Sequence, residues 1–260
     1  RPRLRELHRV LKPTGSFYYH CDWHASHYVK VELDRIVGFD NFQNEIVWSY
    51  KRYTAVSGAF QRMHDVLLFY RKGNVATFNT IRDPYGQKSG KADSHYRVDD
   101  NGRWYRWQKR KGQEPYRVYL SEGRRLGDVW EIPHINASAK ERLGYPTQKP
   151  LALLERVIQA SSNEGDLVLD AFCGCGTTLE AAAKFKRKWI GIDFSPTACR
   201  VMAQRLEDRL KLKVGQHFQL RDMPKTPEQL RRIPHFEFEN WAVLALGGIP
   251  NKVKVGDYGI

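Results

Sequence analysis

A chain of 260 residues with 41% hydrophobic and 12% aromatic content has enough apolar material for a packed core, which excludes wholesale disorder. Its 43 Lys and Arg against 29 Asp and Glu leave a formal charge of +14, so acidic polymers, nucleic acid first, are the expected partners. No apolar run reaches bilayer length, Arg1-Pro2-Arg3 opens no signal peptide, and four cysteines lack zinc-pair spacing, so a reduced, metal-free, cytoplasmic chain is expected.

Leu4–Leu11 reads as an amphipathic helix already in mid-pattern, and the last residues stop without a closing element, so a piece cut at both ends is expected. Lys12-Pro13-Thr14-Gly15 ends that helix, because Pro cannot continue it and Gly tolerates the reversal. A short strand follows over 16–22, then a helix from Ser26 as N-cap to Val37. Strands are expected near 44–50 and over 64–71, where Val66-Leu67-Leu68-Phe69-Tyr70 is the strongest strand signal. From about Val75 the periodicity fades, and residues 82–125 carry twelve Lys or Arg against six Asp or Glu, with seven Tyr or Trp interleaved. Helix 151–160 starts behind Pro150, followed by strand 167–170, a glycine loop, helix 177–185, strand 189–193 and helix 196–210. This alternation predicts an α/β fold with a doubly wound, mostly parallel, Rossmann-like sheet interrupted by a β-rich insert.

The sharpest chemical signal is Asp170-Ala171-Phe172-Cys173-Gly174-Cys175-Gly176-Thr177-Thr178. A strand ends in a carboxylate, a Gly-x-Gly loop lets backbone approach a ligand, and the next helix presents unpaired N–H groups at its start. A dinucleotide binder needs a third Gly where Leu179 stands, so the nicotinamide fingerprint is not met. The following strand ends at Asp193, a position from which a carboxylate holds ribose hydroxyls. Adenosine without a pyrophosphate is the implied ligand.

Tyr145-Pro146-Thr147-Gln148-Lys149-Pro150 followed by that loop resembles the S-adenosylmethionine-dependent DNA methyltransferases that modify adenine N6 or cytosine N4. The block order resembles the permuted class with the catalytic half first, and Lys12–Ser16 and His64–Tyr70 resemble that half's blocks. The resemblance covers residues 1 to about 213. It implies Asp170, Phe172, Gly174, Gly176, Thr177 and Thr178 around the methionine end of S-adenosyl-L-methionine, Asp193 at the ribose, Phe194 beside the adenine, and Thr147, Gln148 and Lys149 over the carboxylate. Ala171 and Cys175 depart from the family's usual Pro and Ser, and both are small. The family's catalytic tetrapeptide, an Asp, Asn or Ser before Pro-Pro-aromatic, is expected upstream of Arg1. Asp83-Pro84-Tyr85 has one Pro too few and reads as a turn.

His20 and Asp22, at the end of a strand bordering the cleft, are candidate catalytic contributors. Cys173 and Cys175 read as small loop fillers and His64 as structural. The insert is the expected reader of double-stranded DNA through Arg103, Trp104, Arg106, Trp107, Lys109, Arg110 and Lys111, cations for phosphates and rings for bases. The expected domains are a catalytic half (1–74), a target-recognition insert (75–139), a cofactor half (140–222), and a linker opening a restriction-endonuclease-like domain (223–260). Restriction–modification, with a cognate nuclease as candidate partner, is the expected setting. Adenine N6 is the favoured acceptor and cytosine N4 the alternative. A fragment that binds cofactor and DNA without catalysis also fits, whereas an RNA or protein methyltransferase is disfavoured by the insert's position.

Overall fold

The computed structural model describes residues 1–52, 57–83, 96–119, 123–145, 147–224 and 227–232, with short stretches at 234–235, 238–239 and 242–243. Its organising element is β3 (His64–Arg71), whose five residues Val66 to Tyr70 are all at most 6% exposed. Alternation along a strand sends successive side chains to opposite faces, so burial of the whole run requires cover on both sides. Leu67 and Phe69 pack with Ile46, Trp48, Trp130, Ile132 and Leu153 on one face. Val66, Leu68 and Tyr70 pack with Cys21, Leu33 and Val37 on the other.

β3 is flanked antiparallel by β1 (Ser16–Cys21) and β2 (Phe42–Ser49), and β2 pairs in parallel with β9 (Val129–Glu131), giving the order β1-β3-β2-β9. The Trp48 indole donates to the Ile132 carbonyl at 2.9 Å, so the chain returning from the insert is pinned into the core of this sheet. α1 (Pro2–Val10) and α2 (Ser26–Val37) lie on the Cys21 side. α2 begins as expected, but its cap is Ala25 and Ser26 is buried, because the Asp22 carbonyl already accepts the Ala25 and Ser26 N–H groups.

A second, parallel ladder joins β10 (Leu167–Asp170) to β11 (Lys188–Gly191). α4 (Thr177–Lys184) and α5 (Pro196–Leu210) cover one of its faces, taking in Val168 and Trp189. The other face leaves Leu167, Leu169, Ile190 and Ile192 between 39% and 53% exposed. Parallel ladders are normally covered on both faces, so these residues are unusual for their element. α3 (Leu151–Ser161) bridges the two sheets: Leu153 sits in the β3 core, Ile158 packs with Ala181 and Ala182, and Ser161 meets the Tyr18 hydroxyl at 2.6 Å.

Between the halves, β4 (Arg82–Asp83) pairs with β8 (Arg124–Arg125), and β5 (Arg97–Val98), β6 (Trp104–Gln108) and β7 (Tyr116–Tyr119) form a three-stranded antiparallel sheet. A short helix, α6 (Pro227–Arg231), follows the second half. Most of residues 223–260, expected to open a nuclease-like domain, and Pro84-Tyr85 lie outside the described residues. Among the described residues no helix is long and apolar enough to cross a membrane.

Candidate active site

The glycine loop is built by the parallel ladder beneath it. Hydrogen bonds from Ile192 N–H to the Asp170 carbonyl and from Cys173 N–H to the Ile192 carbonyl carry the pairing past both strand ends. β11 stops at Gly191, two residues before the expected end, so Asp193 stands on the turn into α5. Its two carboxylate oxygens accept the Gly174 N–H at 2.7 Å and the Ser195 N–H at 2.9 Å. One acid therefore fixes the spacing between the two loops that leave β10 and β11. Asp170 accepts the Phe172 N–H at 3.1 Å and sets the start of the same turn.

Gly174 and Gly176 sit at φ +49° and +76°, where side-chain-bearing residues are strained, and a Cβ on Gly176 would stand 2.5 Å from Met202 Cγ. The loop's inner side is closed by protein packing, with Cys173 Sγ 3.7 Å from Met202 Sδ and burial pushing the Cys173 thiol pKa up. That supports the reading of Cys173 as a filler, since a protonated buried thiol is a poor nucleophile.

Sequence reasoning missed what supports this loop from below. Glu180 on α4 and Arg205 on α5 form a buried ion pair at 5% and 3% exposure, and Arg205 Nη1 also donates to Thr177 Oγ1 at 2.9 Å and to the Cys175 carbonyl at 3.5 Å. The guanidinium thus ties both helices to the loop they flank. The signal was present: Arg205 shares a helical face with Met202 and Leu206, so the 3.6-residue period already places a charge on an apolar stripe.

On the outer side the two aromatics at the strand ends are open. Phe172 is 58% exposed with the Arg3 guanidinium 5.8 Å from its ring centroid, and Phe194 is 84% exposed. Thr178 is half-buried and Thr177 buried. Thr147 takes φ +62°, a strained conformation for a β-branched residue. Gln148 is committed to its own segment, donating to the Glu141 carbonyl at 2.6 Å and accepting the Leu143 N–H at 2.9 Å. Lys149 Nζ donates to the Thr147 carbonyl at 3.1 Å; burial pulls its pKa below 10.5, while Asp65 and Cys175 pull it back up.

That electrostatic reach links the loop to the end of the other sheet. Asp65, at the start of β3, lies 3.1 Å from His20 Nε2 and accepts the Tyr50 hydroxyl at 3.3 Å. Burial alone would raise the Asp65 pKa, but His20, Tyr50 and Lys149 together hold it below the ordinary 3.8. With the carboxylate ionised, His20 Nε2 is the donor. Asp22 turns away to its own loop, accepting the His24 N–H at 3.1 Å and lying 2.9 Å from His24 Nδ1, and that pairing lowers its pKa. The two candidates at the end of β1 therefore face different partners. Asp65 and Tyr50 were not singled out from the sequence, although an acid opening a wholly apolar strand is a visible anomaly.

The insert residues divide between two faces. Tyr105 and Trp107 lie on one face of β6, edge-to-face at 5.9 Å, with the Arg117 guanidinium 4.7 and 5.4 Å from their rings. Trp104 and Arg106 point to the opposite face by strand alternation, Trp104 exposed and Arg106 half-buried. Arg103 is ion-paired with Asp99 at 3.1 Å and lies over Tyr119. Lys109, Arg110 and Lys111 are exposed at the turn into β7.

The residues present fit an adenosyl ligand. Each Asp193 oxygen accepts one backbone N–H, which leaves acceptor capacity for two hydroxyls, and the exposed Phe194 ring adjoins it.

Comparison with known proteins gives the same direction. The family described as DNA methylase matches residues 1–205. The type II methyltransferase M.HpaI of Haemophilus parainfluenzae is 34% identical over 205 residues, covering 78% of this chain and 57% of that protein. The DNA adenine methyltransferase YhdJ of Escherichia coli K12 is 29% identical over 234 residues, covering 87% and 70%. The chain thus spans little more than half the length of M.HpaI. Among solved structures, the M1.HpyAVI–SAM complex matches with a TM-score of 0.50 at 20% identity, covering 78% of this chain and 79% of that one. The cytosine-N4-specific PvuII DNA methyltransferase matches with 0.54 at 16%, covering 79% and 68%. At such identities the structural likeness speaks for the α/β methyltransferase fold, and the family match speaks for descent: this chain belongs to the N6/N4 DNA methylase family.

Proposed function

We propose that this chain binds S-adenosyl-L-methionine and serves a DNA methyltransferase that modifies the exocyclic amine of adenine at N6. The observation that carries this reading is Asp193, whose carboxylate bridges the Gly174 and Ser195 amides beside the open Phe194 ring. Asp193 takes the ribose hydroxyls and Phe194 the adenine face. Asp170, Phe172 and the Gly174–Thr178 turn surround the methionine end, and Lys149 answers its carboxylate. Bound there, S-adenosylmethionine supplies a methyl already activated by its sulfonium, so the protein's task is alignment and exclusion of water. The target base is extruded to reach it, at a cost of a few kcal/mol recovered in the pocket.

Residues 1–74 act as the acceptor half and 140–222 as the donor half, while 75–139 read double-stranded DNA through the exposed Lys109, Arg110 and Lys111 and the Trp104 and Trp107 rings. The setting is a cytoplasmic restriction–modification system with a cognate nuclease. Adenine is supported over cytosine N4 by the likeness to YhdJ, whose name specifies adenine.

Calorimetric titration of the chain with S-adenosylmethionine tests the donor half: saturable binding is expected, with at least a tenfold loss in Asp193→Ala. Incubating the longest gene product containing these residues with DNA and labelled cofactor tests the acceptor. Digestion and mass spectrometry should then show N6-methyladenine. N4-methylcytosine would reassign the base, and no cofactor binding would end the reading.

A further inference from the structure

The insert does not contain the most exposed aromatic among the described residues. That is Phe60, 97% exposed, in the connection between β2 and β3. Residues 51–63 carry Lys51, Arg52 and Arg62 and no acid, so the ring projects from a purely cationic segment. Its root is firm: the Tyr50 N–H donates to the Met63 carbonyl at 2.9 Å, and the Tyr50 hydroxyl reaches Asp65. A second loop is tied to it. The Arg62 guanidinium lies 4.0 Å from the ring centroid of Trp23, itself 47% exposed with the His24 ring tilted 31° against it at 3.6 Å, in the turn from β1 to α2. Lys149 feels the charge of Asp65 at this root, and the segment leading to it reaches the glycine loop, where a Cβ on Gly174 would stand 3.2 Å from Tyr145 Cε1.

We propose that residues 57–63 with Trp23 form a second DNA-contacting surface, in which Arg62 takes a backbone phosphate and Phe60 enters the base stack beside the target nucleotide. The inference rests on the DNA methyltransferase reading and adds a surface to it. Charge complementarity favours duplex DNA as the occupant: cations answer phosphates, and an apolar ring needs an unstacked base step or a vacated position to bury itself. Extruding a base creates that vacancy at the edge where Phe60 stands. No such pairing of chemistries is offered by an ordinary apolar protein surface, which would leave the cations desolvated without partners.

The test needs no knowledge of the recognition sequence. Binding of the chain to a fluorescent duplex of mixed sequence is compared with binding to the same duplex bearing one central abasic site, in increasing salt. Wild type should prefer the abasic duplex several-fold. Phe60→Ala should lose that preference while keeping its affinity for the intact duplex, and Phe60→Trp should restore it. Arg62→Ala should weaken both duplexes alike and reduce the slope of log K against log salt by about one. Thermal melting should be unchanged in both Phe60 variants, whose side chain is exposed, and lowered only slightly in Arg62→Ala, which loses its contact with the Trp23 ring. A preference that survives Phe60→Ala, or its absence from wild type, overturns the inference while leaving the DNA reading standing. Failure of wild type to bind either duplex overturns the DNA reading itself. A dimer in sedimentation that Phe60→Ala dissolves would assign the ring to a second copy of the chain and overturn the proposal.

Discussion

Two side chains show how local charge is held at this site. Arg205 and Glu180 lie almost wholly out of water, and the arginine directs its remaining donors to Thr177 and Cys175. Removing one partner leaves a buried charge unanswered, which costs about 3–5 kcal/mol, whereas replacing both by apolar groups is often neutral. Arg205→Ala should therefore lower the urea midpoint sharply, with Glu180→Leu/Arg205→Leu recovering much of the stability. Equal destabilisation by single and double variants would show that shape, not charge, is at stake. Lys149 works in the opposite sense. Its folded pKa lies below 10.5, so the unfolded chain holds the proton more tightly, and stability rises as pH climbs from the folded value to 10.5. At neutral pH the desolvation cost is present in full. Lys149→Met should raise the melting temperature at pH 7, with a gain that fades toward pH 10.5, and should weaken S-adenosylmethionine binding; an unchanged melting temperature would show the ammonium is adequately solvated.

At the scale of elements, what could be read from sequence was whatever a single period decides. β3 was visible because five apolar residues in a row admit no half-exposed strand, and α5 because its helix begins at Pro196; the Ser195 side chain that caps it by accepting the Ala198 N–H was not singled out. The glycine loop was visible because Gly-x-Gly between a strand and a helix has few structural uses. Invisible were contacts between distant segments: Asp65 with His20 spans 45 residues, and Glu180 with Arg205 spans 25. Strand ends were also blurred, since Ile192 keeps its ladder hydrogen bonds past the end of β11 while Asp193 already belongs to the turn into α5. The insert was expected to be β-rich although its periodicity fades, and its two faces were not separated, because aromatics and cations occupy both. The exposed turn between β6 and β7 gives the cleanest test of its role. Changing Lys109, Arg110 and Lys111 together to Ala should lower the salt slope of DNA binding by up to about three, at roughly 0.9 for each phosphate left unneutralised. An unchanged slope would move DNA recognition elsewhere on the molecule.

The whole molecule combines a charge of +14 with a two-stranded parallel ladder, β10 and β11, whose outer edges meet no further strand among the described residues. Beside the β10 edge stand the half-exposed Leu167, Leu169, Ile190 and Ile192. An open edge with apolar neighbours is a template for any extended chain that meets it, and proteins usually blunt such edges with charge or cover. Here the protection is global, as like-charged molecules are held apart by repulsion that reaches about 10 Å at 0.1 M salt and about 3 Å at 1 M. Raising the salt should then make the chain associate, seen as light scattering that grows with concentration, and Leu169→Lys should delay the onset. Salt-independent scattering would mean the ladder is not the sticky element. The open ladder thus gives these 260 residues, taken by themselves, the expected solution behaviour of a polycation with an adhesive face: their dispersal is set by the counterions around them.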